Sequence, residues 1–328
     1  REVDLGRDWV SGHYQVQRLP ATVAKLKWWF GSLNSDQEKE FIFRRLEKMS
    51  VGELSLAQRN SMTELVAESQ QAMRHFAMKH ITKRLLESSS TISSMDPREE
   101  AVRRSSSVVS LRDIQRTFTL FEFFSRNLNL AGSATSRRKA MLLAIAVVYL
   151  LRLDKAARIE FNEKLMGLPQ EAKHANGVQE TLDDAMNEVL KETELPAGIA
   201  LTRGLKENTF MTLVCTLSRT PLIIVGPPGS SKTLSVNMVG DNANGEDSPS
   251  IFYRKVARLL LFHYQCSKSS TSKEISAVFD KAIQRQKLLD DSKSLCVVFM
   301  DEAGLPEEGK ESLKVLHYLL EGHMSVKS

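Results

Sequence analysis

The sequence has few cysteines, few turn formers and no run long enough to cross a bilayer. Its three cysteines, Cys215, Cys266 and Cys296, cannot build a disulfide framework, which points to a reducing compartment. None stands in a C-x-x-C pair, so zinc fingers and RING-type metal sites are excluded from this stretch. Sixteen glycines and nine prolines among 328 residues fall below the average of roughly 12%, which argues against a turn-rich all-β fold. The longest apolar run, Met141 to Leu151, is about half the ~20 residues of a membrane span. Neither charge dominates. The chain has 45 basic and 40 acidic residues and a net charge of +5, a mild bias that gives little support for nucleic acid as a partner.

What is present is ordinary globular material, 42% hydrophobic and 26% charged. The length predicts about two domains. The chain begins Arg1-Glu2-Val3 rather than at Met and carries no signal-peptide pattern there. It is expected to be a piece of a larger protein.

The first half reads as helices. Leu19-Pro20 opens a segment with Val23, Leu26 and Trp29-Phe30 at helical spacing. Glu38 to Met49 and Met62 to Leu86 follow the same period. Residues 88–107 are Ser-rich and aperiodic, as expected of a flexible insert. Arg103-Arg104-Ser105-Ser106 within it reads as a solvated loop rather than a kinase target. Order resumes at Ser110-Leu111-Arg112-Asp113, close to a capping box, before a helix with Ile114, Phe118 and Phe121 on one face. A helix from about Ser136 to Leu153 carries the apolar run Met141 to Val148, which must be buried on most sides. Gln179 to Glu192 is amphipathic through Leu182, Met186, Val189 and Leu190, and Leu195-Pro196-Ala197-Gly198 stops it.

After this the texture changes. Pro221 to Val225, Leu259 to Tyr264 and Leu295 to Met300 are short, wholly apolar runs with helical stretches between them. Such runs predict a buried parallel sheet with helices on both faces. The boundary between the two parts falls around residues 165–195.

The chemistry lies in this second part. Gly226-Pro227-Pro228-Gly229-Ser230-Ser231-Lys232-Thr233 matches the phosphate-binding loop G-x-x-x-x-G-K-[ST], except that Ser231 replaces the second glycine. Average composition gives roughly 0.02 such matches in a chain of this length, so chance is a poor explanation. The loop must follow a strand and open a helix, so that backbone N–H groups and the positive helix end face the same anion. Leu234 to Val239 supplies that helix. Lys232 would reach the β- and γ-phosphates, and the Thr233 hydroxyl would ligate Mg²⁺. Val297 to Met300 is a strand ending in Asp301-Glu302. Asp301 would hold Mg²⁺, and Glu302 would polarise an attacking water. Ser231 raises a question of backbone strain, because glycine adopts the conformation needed there without cost.

Other residues read as structural. His263 is expected to be a packed core residue and Cys266 a small buried one. Arg137-Arg138-Lys139 reads as a solvated helix start, and Trp28-Trp29-Phe30 as packing rather than base stacking.

Ile223 to Leu234 resembles the Walker A segment of AAA+ ATPases. The Ser-Ser-Lys variant, Tyr264-Gln265-Cys266-Ser267, Phe299 to Leu305, Leu313 to His317 and Leu319-Leu320-Glu321 resemble, more narrowly, the mysterin-type giant RING-finger AAA+ ATPases and E3 ubiquitin ligases. Ile199 to Arg203 with Glu207-Asn208 fits the same family, and Val109 to Ile114 with Phe121 to Phe124 resembles the helical lid of a preceding unit.

The resemblance implies an α/β fold: a P-loop NTPase (AAA+) core with a parallel sheet, preceded by an all-α lid-like domain. Residues 1–165 would be that lid, 166–195 a linker helix and 196–328 a truncated nucleotide-binding core. ATP and Mg²⁺ would be the cofactors, and Gly226, Pro227, Pro228, Gly229, Ser230, Ser231, Lys232, Thr233 and Leu234 the nucleotide-binding residues. Lys232 and Glu302 would be catalytic, with Thr233 and Asp301 on the metal. Arg112 is a candidate lid sensor, or a surface arginine at a helix start. The sensor strand and arginine finger would lie beyond Ser328. Expected partners are neighbouring AAA+ units of the same chain, with ubiquitin and an E2 in the whole protein, in the cytoplasm, with neither nucleic acid nor a membrane span. A non-hydrolysing ATP-binding scaffold and a dynein- or midasin-like mechanical array remain open.

Overall fold

In a computed structural model of the chain, the described residues are 33–49, 53–87, 109–127, 134–171, 174, 176–307 and 311–322. The segment opening at Leu19-Pro20, Trp28-Trp29-Phe30 and the Ser-rich insert 88–107 lie outside them.

Local signals start several of the helices. At α1 (Ser35–Glu47), Gln37 N–H donates to Asn34 Oδ1 at 2.8 Å, and Asn34 N–H donates back to Gln37 Oε1 at 3.1 Å. The two satisfy orphan donors of the first turn reciprocally. Ile42 and Leu46 then turn inward onto α2 (Leu56–Glu87). At α3 (Leu111–Asn127), Ser110 Oγ accepts from Arg112 N–H and Asp113 Oδ2 accepts from Ser110 N–H at 2.9 Å. Ile114, Phe118, Phe121 and Phe124, at helical spacing, are almost fully buried, each contributing roughly 2 kcal/mol relative to exposure.

That face packs on α4 (Ala134–Val148). Every residue from Ala140 to Leu150 is buried, as the unbroken apolar run demands. Several buried polar groups in this bundle are paired, although Thr63 Oγ1, Gln70 Oε1 and Ser125 Oγ have no hydrogen-bond partner among the described residues. Gln70 Nε2 donates to Tyr149 Oη and to the Ser110 carbonyl, and Asp113 accepts from Arg116 and Arg152. Asp154 caps α5 (Lys155–Met166) by accepting from Ala157 N–H. Asn162 Oδ1 on α5 accepts from the first N–H groups of α6 (Val178–Lys191).

Thr202 caps α7 (Arg203–Leu217), which packs against α8 (Lys232–Asn242). Sequence periodicity assigns no element to 203–217. Its signal was an N-cap threonine followed by Leu205, Phe210, Leu213 and Val214, all buried.

The sheet has two parallel strands, β1 (Arg258–Gln265) and β2 (Ser294–Asp301), in register from Arg258 opposite Ser294 to Gln265 opposite Asp301. They are joined by α9 (Ser272–Gln286), whose N-cap Thr271 forms a capping box with Glu274. The last helix among the described residues is α10 (Val315–Gly322). Helix α8 packs on β1 so closely that a Cβ at Gly240 would sit 2.5 Å from Leu261 Cδ1.

Two expectations about the sheet are corrected. The strands are mostly half-buried rather than enclosed. The run Pro221 to Val225 is not a strand. Ile223 is 86% and Val225 90% exposed, while Leu222 and Ile224 are half-buried. The alternation suits an extended segment with one side on the protein, but no described strand lies alongside to take its backbone hydrogen bonds. Apolar composition alone cannot supply that neighbour.

One core runs through both parts, from Ile42 through Tyr149 and Phe161 to Phe210, Val239, Tyr253, Leu259 and Leu295. Specific bonds reinforce it. Asn242 on α8 exchanges two hydrogen bonds with the backbone of Glu194. Arg158 on α5 meets Glu207 on α7 with a fork at 2.5 and 3.1 Å. Arg158 is 15% and Glu207 16% exposed at the side chain. Burial alone would raise the Glu207 carboxyl, but hydrogen bonds and charge from Arg158 and Arg203 outweigh it and hold the pKa below the ordinary value.

Candidate functional site

The loop 226–231 leaves the exposed run 221–225 and enters α8. Pro227 accepts from Ser230 N–H at 3.3 Å to close a turn, with Gly229 at φ +79°. Ser231, the residue that stands for the usual glycine, has φ 61° and ψ 24°. This is the left-handed region where only glycine is unstrained. The question raised by the sequence is thereby answered: the serine adopts the glycine conformation and bears its cost. A Cβ at Gly226 would meet Ser230 Oγ at 2.7 Å, so a larger residue there would have to turn that hydroxyl aside.

Lys232, the first residue of α8, folds back into the loop. Its Nζ donates to the carbonyls of Gly226 and Pro227 at 2.8 and 2.9 Å and to Ser230 Oγ at 3.3 Å. Its described partners are all neutral oxygens, so the cation is held by dipoles and is suited to an anion entering the loop. Thr233 Oγ1 donates to Asp301 Oδ2 at 2.9 Å across 68 residues. This bond joins the first turn of α8 to the end of β2. The other carboxylate oxygen of Asp301 accepts from Glu302 N–H at 2.9 Å. Glu302 is exposed and left-handed, with φ 53°. A strained non-glycine residue at a strand end is a feature that clusters at functional sites.

The structure therefore brings together Gly226, Pro227, Pro228, Gly229, Ser230, Ser231, Lys232, Thr233, Leu234, Asp301 and Glu302. A hydroxyl and a carboxylate converging beside a lysine form an all-oxygen set of the kind that suits Mg²⁺. A phosphate fits a loop whose glycines leave the backbone approachable. The residues fit both groups.

Arg112 is not part of this cluster. It is exposed on the first turn of α3, and the described contacts of the site include none of its atoms. Cys266 is 1% exposed, and its N–H donates to the Asp301 carbonyl at 2.9 Å. Burial and then the Asp301 charge raise its thiol pKa, so it is a packed residue, as expected, rather than a nucleophile. His263 differs from expectation. It is exposed near the end of β1, with its ring edge-on to Phe299, centroids 4.5 Å apart. It shares a face of β1 with buried Leu259 and half-buried Leu261, and burial falls off along that face toward Gln265. Arg138 also differs. The expected solvated helix start is instead largely covered, with its guanidinium 2.6 Å from the buried carboxylate of Glu171.

Asn208 was not expected in the site. Its Nδ2, on α7, donates to the Ser230 carbonyl at 3.0 Å. Nothing in the local sequence indicates this, because the bond depends on how α7 lies against the loop.

Residues 198–328 match the family model described as the RNF213 AAA domain. The chain is 29% identical over 94% of its length to E3 ubiquitin-protein ligase RNF213 of Homo sapiens. It is 28% identical, again over 94%, to E3 ubiquitin-protein ligase rnf213-beta of Danio rerio. A Dictyostelium discoideum protein described as an uncharacterized transmembrane protein is 32% identical over 66% of the chain. The chain spans about 6% of the length of the human and zebrafish relatives. The chain is similar to a segment of these RNF213 proteins, its second part to their AAA domain, and the mysterin-type resemblance is borne out. The similarity also reaches further along the chain than the motifs that suggested it. Among the described residues no helix is long and apolar enough to cross a membrane.

Proposed function

We propose that residues 226–234, with Asp301 and Glu302, bind and hydrolyse ATP as the P-loop centre of a AAA+ unit within a larger RNF213-like E3 ubiquitin ligase. The observation that carries this reading is the Thr233–Asp301 hydrogen bond at 2.9 Å beside a lysine folded into the loop. On this reading the loop amides and Lys232 hold the phosphates, with Lys232 exchanging its bonds to loop carbonyls for bonds to phosphate oxygens. Thr233 and Asp301 hold Mg²⁺. The metal, when bound, neutralises charge on the phosphate oxygens. Glu302, exposed beyond the strand end, orients a water in line with the terminal phosphate and accepts its proton.

Residues up to about 165 form the lid of a preceding unit, 166–195 a linker helix, and the remainder the nucleotide-binding core. In the whole protein this unit works against neighbouring AAA+ units in the cytoplasm, and ATP-driven movement serves transfer of ubiquitin from an E2. The relatives described as E3 ubiquitin-protein ligases support this setting.

The test is titration of the protein with a fluorescent ATP analogue and Mg²⁺, beside Lys232→Ala and Glu302→Gln. Saturable binding lost in Lys232→Ala and retained in Glu302→Gln, with turnover abolished in the latter, is the expected pattern. Equal binding by wild type and Lys232→Ala refutes the phosphate site. Unchanged turnover in Glu302→Gln leaves a nucleotide site without the assigned base.

A further inference from the structure

We infer that Asn208 is a positioning residue for the phosphate loop, and that the Arg158–Glu207 ion pair seats it against the preceding helical part. The inference rests on the nucleotide-binding reading above and adds a residue to it.

Ser230 is gripped at three points. Its N–H donates to the Pro227 carbonyl at 3.3 Å, its Oγ accepts from Lys232 Nζ at 3.3 Å, and its carbonyl accepts from Asn208 Nδ2 at 3.0 Å. The last bond has a directional consequence. A trans peptide is planar, so the carbonyl of Ser230 and the N–H of Ser231 point in opposite directions. Fixing the carbonyl on Asn208 therefore fixes the Ser231 N–H on the side away from α7. The next residue makes this constraint necessary. Ser231 is left-handed at φ 61°, a conformation that persists in a non-glycine residue only when surrounding contacts hold it. With serine in place of glycine, rotation of this peptide relieves strain, and the Asn208 bond opposes that rotation.

The seat of Asn208 is equally specific. Glu207, its immediate neighbour on α7, receives the Arg158 fork at 2.5 and 3.1 Å and a further bond from Arg203 at 2.9 Å. Arg158 itself donates to the carbonyls of Leu153 and Leu151 at the start of α5. A continuous set of bonds thus runs from the end of the helical part, through α7, to the peptide that precedes Ser231.

The test uses the 328-residue chain with Asn208→Ala and Asn208→Asp, the second keeping the size but removing the donor. Amide hydrogen exchange without nucleotide is read over residues 226–234 and over α7. Binding of the fluorescent ATP analogue with Mg²⁺ is then titrated, with Lys232→Ala as reference. We expect faster exchange in the loop with α7 unchanged, and binding weakened by roughly fivefold, the loss of one hydrogen bond. Asn208→Asp should weaken it at least as much, since a carboxylate would face the Ser230 carbonyl. Glu207→Gln should produce a smaller effect in the same direction. Loop exchange and binding like wild type in Asn208→Asp overturn the inference while the nucleotide reading stands. Faster loop exchange in the Asn208 variants, together with a wild-type chain that binds no better than Lys232→Ala, supports the geometric role and refutes the nucleotide reading separately.

Discussion

Replacing Ser231 by glycine should stabilise this protein, against the usual direction for a mutation to glycine. Ser231 sits at φ 61°, ψ 24° as the N-cap of α8, and its side chain makes no capping hydrogen bond. A left-handed backbone costs a non-glycine residue about 1–2 kcal/mol. Glycine removes that strain but adds about 0.5–1 kcal/mol of unfolded-chain entropy. The balance favours Ser231→Gly by about 0.5–1 kcal/mol on these figures. Gly229 is the control. It lies two residues earlier at φ +79° with open space where a Cβ would go, so Gly229→Ala introduces strain without a clash. The same terms reverse sign and predict destabilisation of about 0.5–1 kcal/mol. The two variants should melt about 2–4 °C apart, at about 2 °C per kcal/mol for a chain of this size. Calorimetry at several scan rates measures this. If Ser231→Gly melts below wild type, or both variants move the same way, backbone strain does not govern this loop.

Glu207 provides a pH prediction. Its folded-state pKa is depressed, so the stabilisation it supplies is present above its ordinary value of 4.5 and is lost as pH falls through the folded value. Glu207→Gln should cost about 2 kcal/mol near neutral pH, because it leaves a largely buried Arg158 without its counter-charge. Urea-unfolding curves of the two proteins should converge as pH is lowered through the acid range. A constant difference would contradict the assignment. The thiols should react in order of burial: Cys215, whose pKa is pushed up to about 12 by burial, and buried Cys266 should resist a disulfide reagent at mildly alkaline pH. Half-buried Cys296 should react first. Mass spectrometry of the labelled protein decides this.

Much of the local structure was legible in the sequence because its causes are local. Ser110 and Asp113 announced α3, and the 3.6-residue period of Ile114, Phe118 and Phe121 gave its buried face. The two strands ending at Gln265 and Asp301 were legible from their apolar runs. The loop 226–231 was legible because a lysine and a hydroxyl after glycines at fixed spacing have few other uses. Helix α7 is hard to read from sequence because its cap is a single threonine and its apolar residues crowd into the second half, Phe210 to Leu217, without a clear polar face. The strand expected at Pro221 to Val225 was misread because an apolar composition states a preference for burial, not the presence of a neighbour.

The sequence by itself determined which segments coil, which extend, and which residue types stand in the loop. Only the tertiary structure decided which of them meet. Thr233 finds Asp301 across 68 residues, and Arg158 finds Glu207 across 49. Asn208 reaches the Ser230 carbonyl because α7 lies beside the loop. His263 is exposed and Arg138 largely covered by the same logic. Backbone preference acts over a few bonds and can be read from neighbours in the chain. Hydrogen bonding and burial depend on neighbours in space, and these exist only once the core has brought distant elements together.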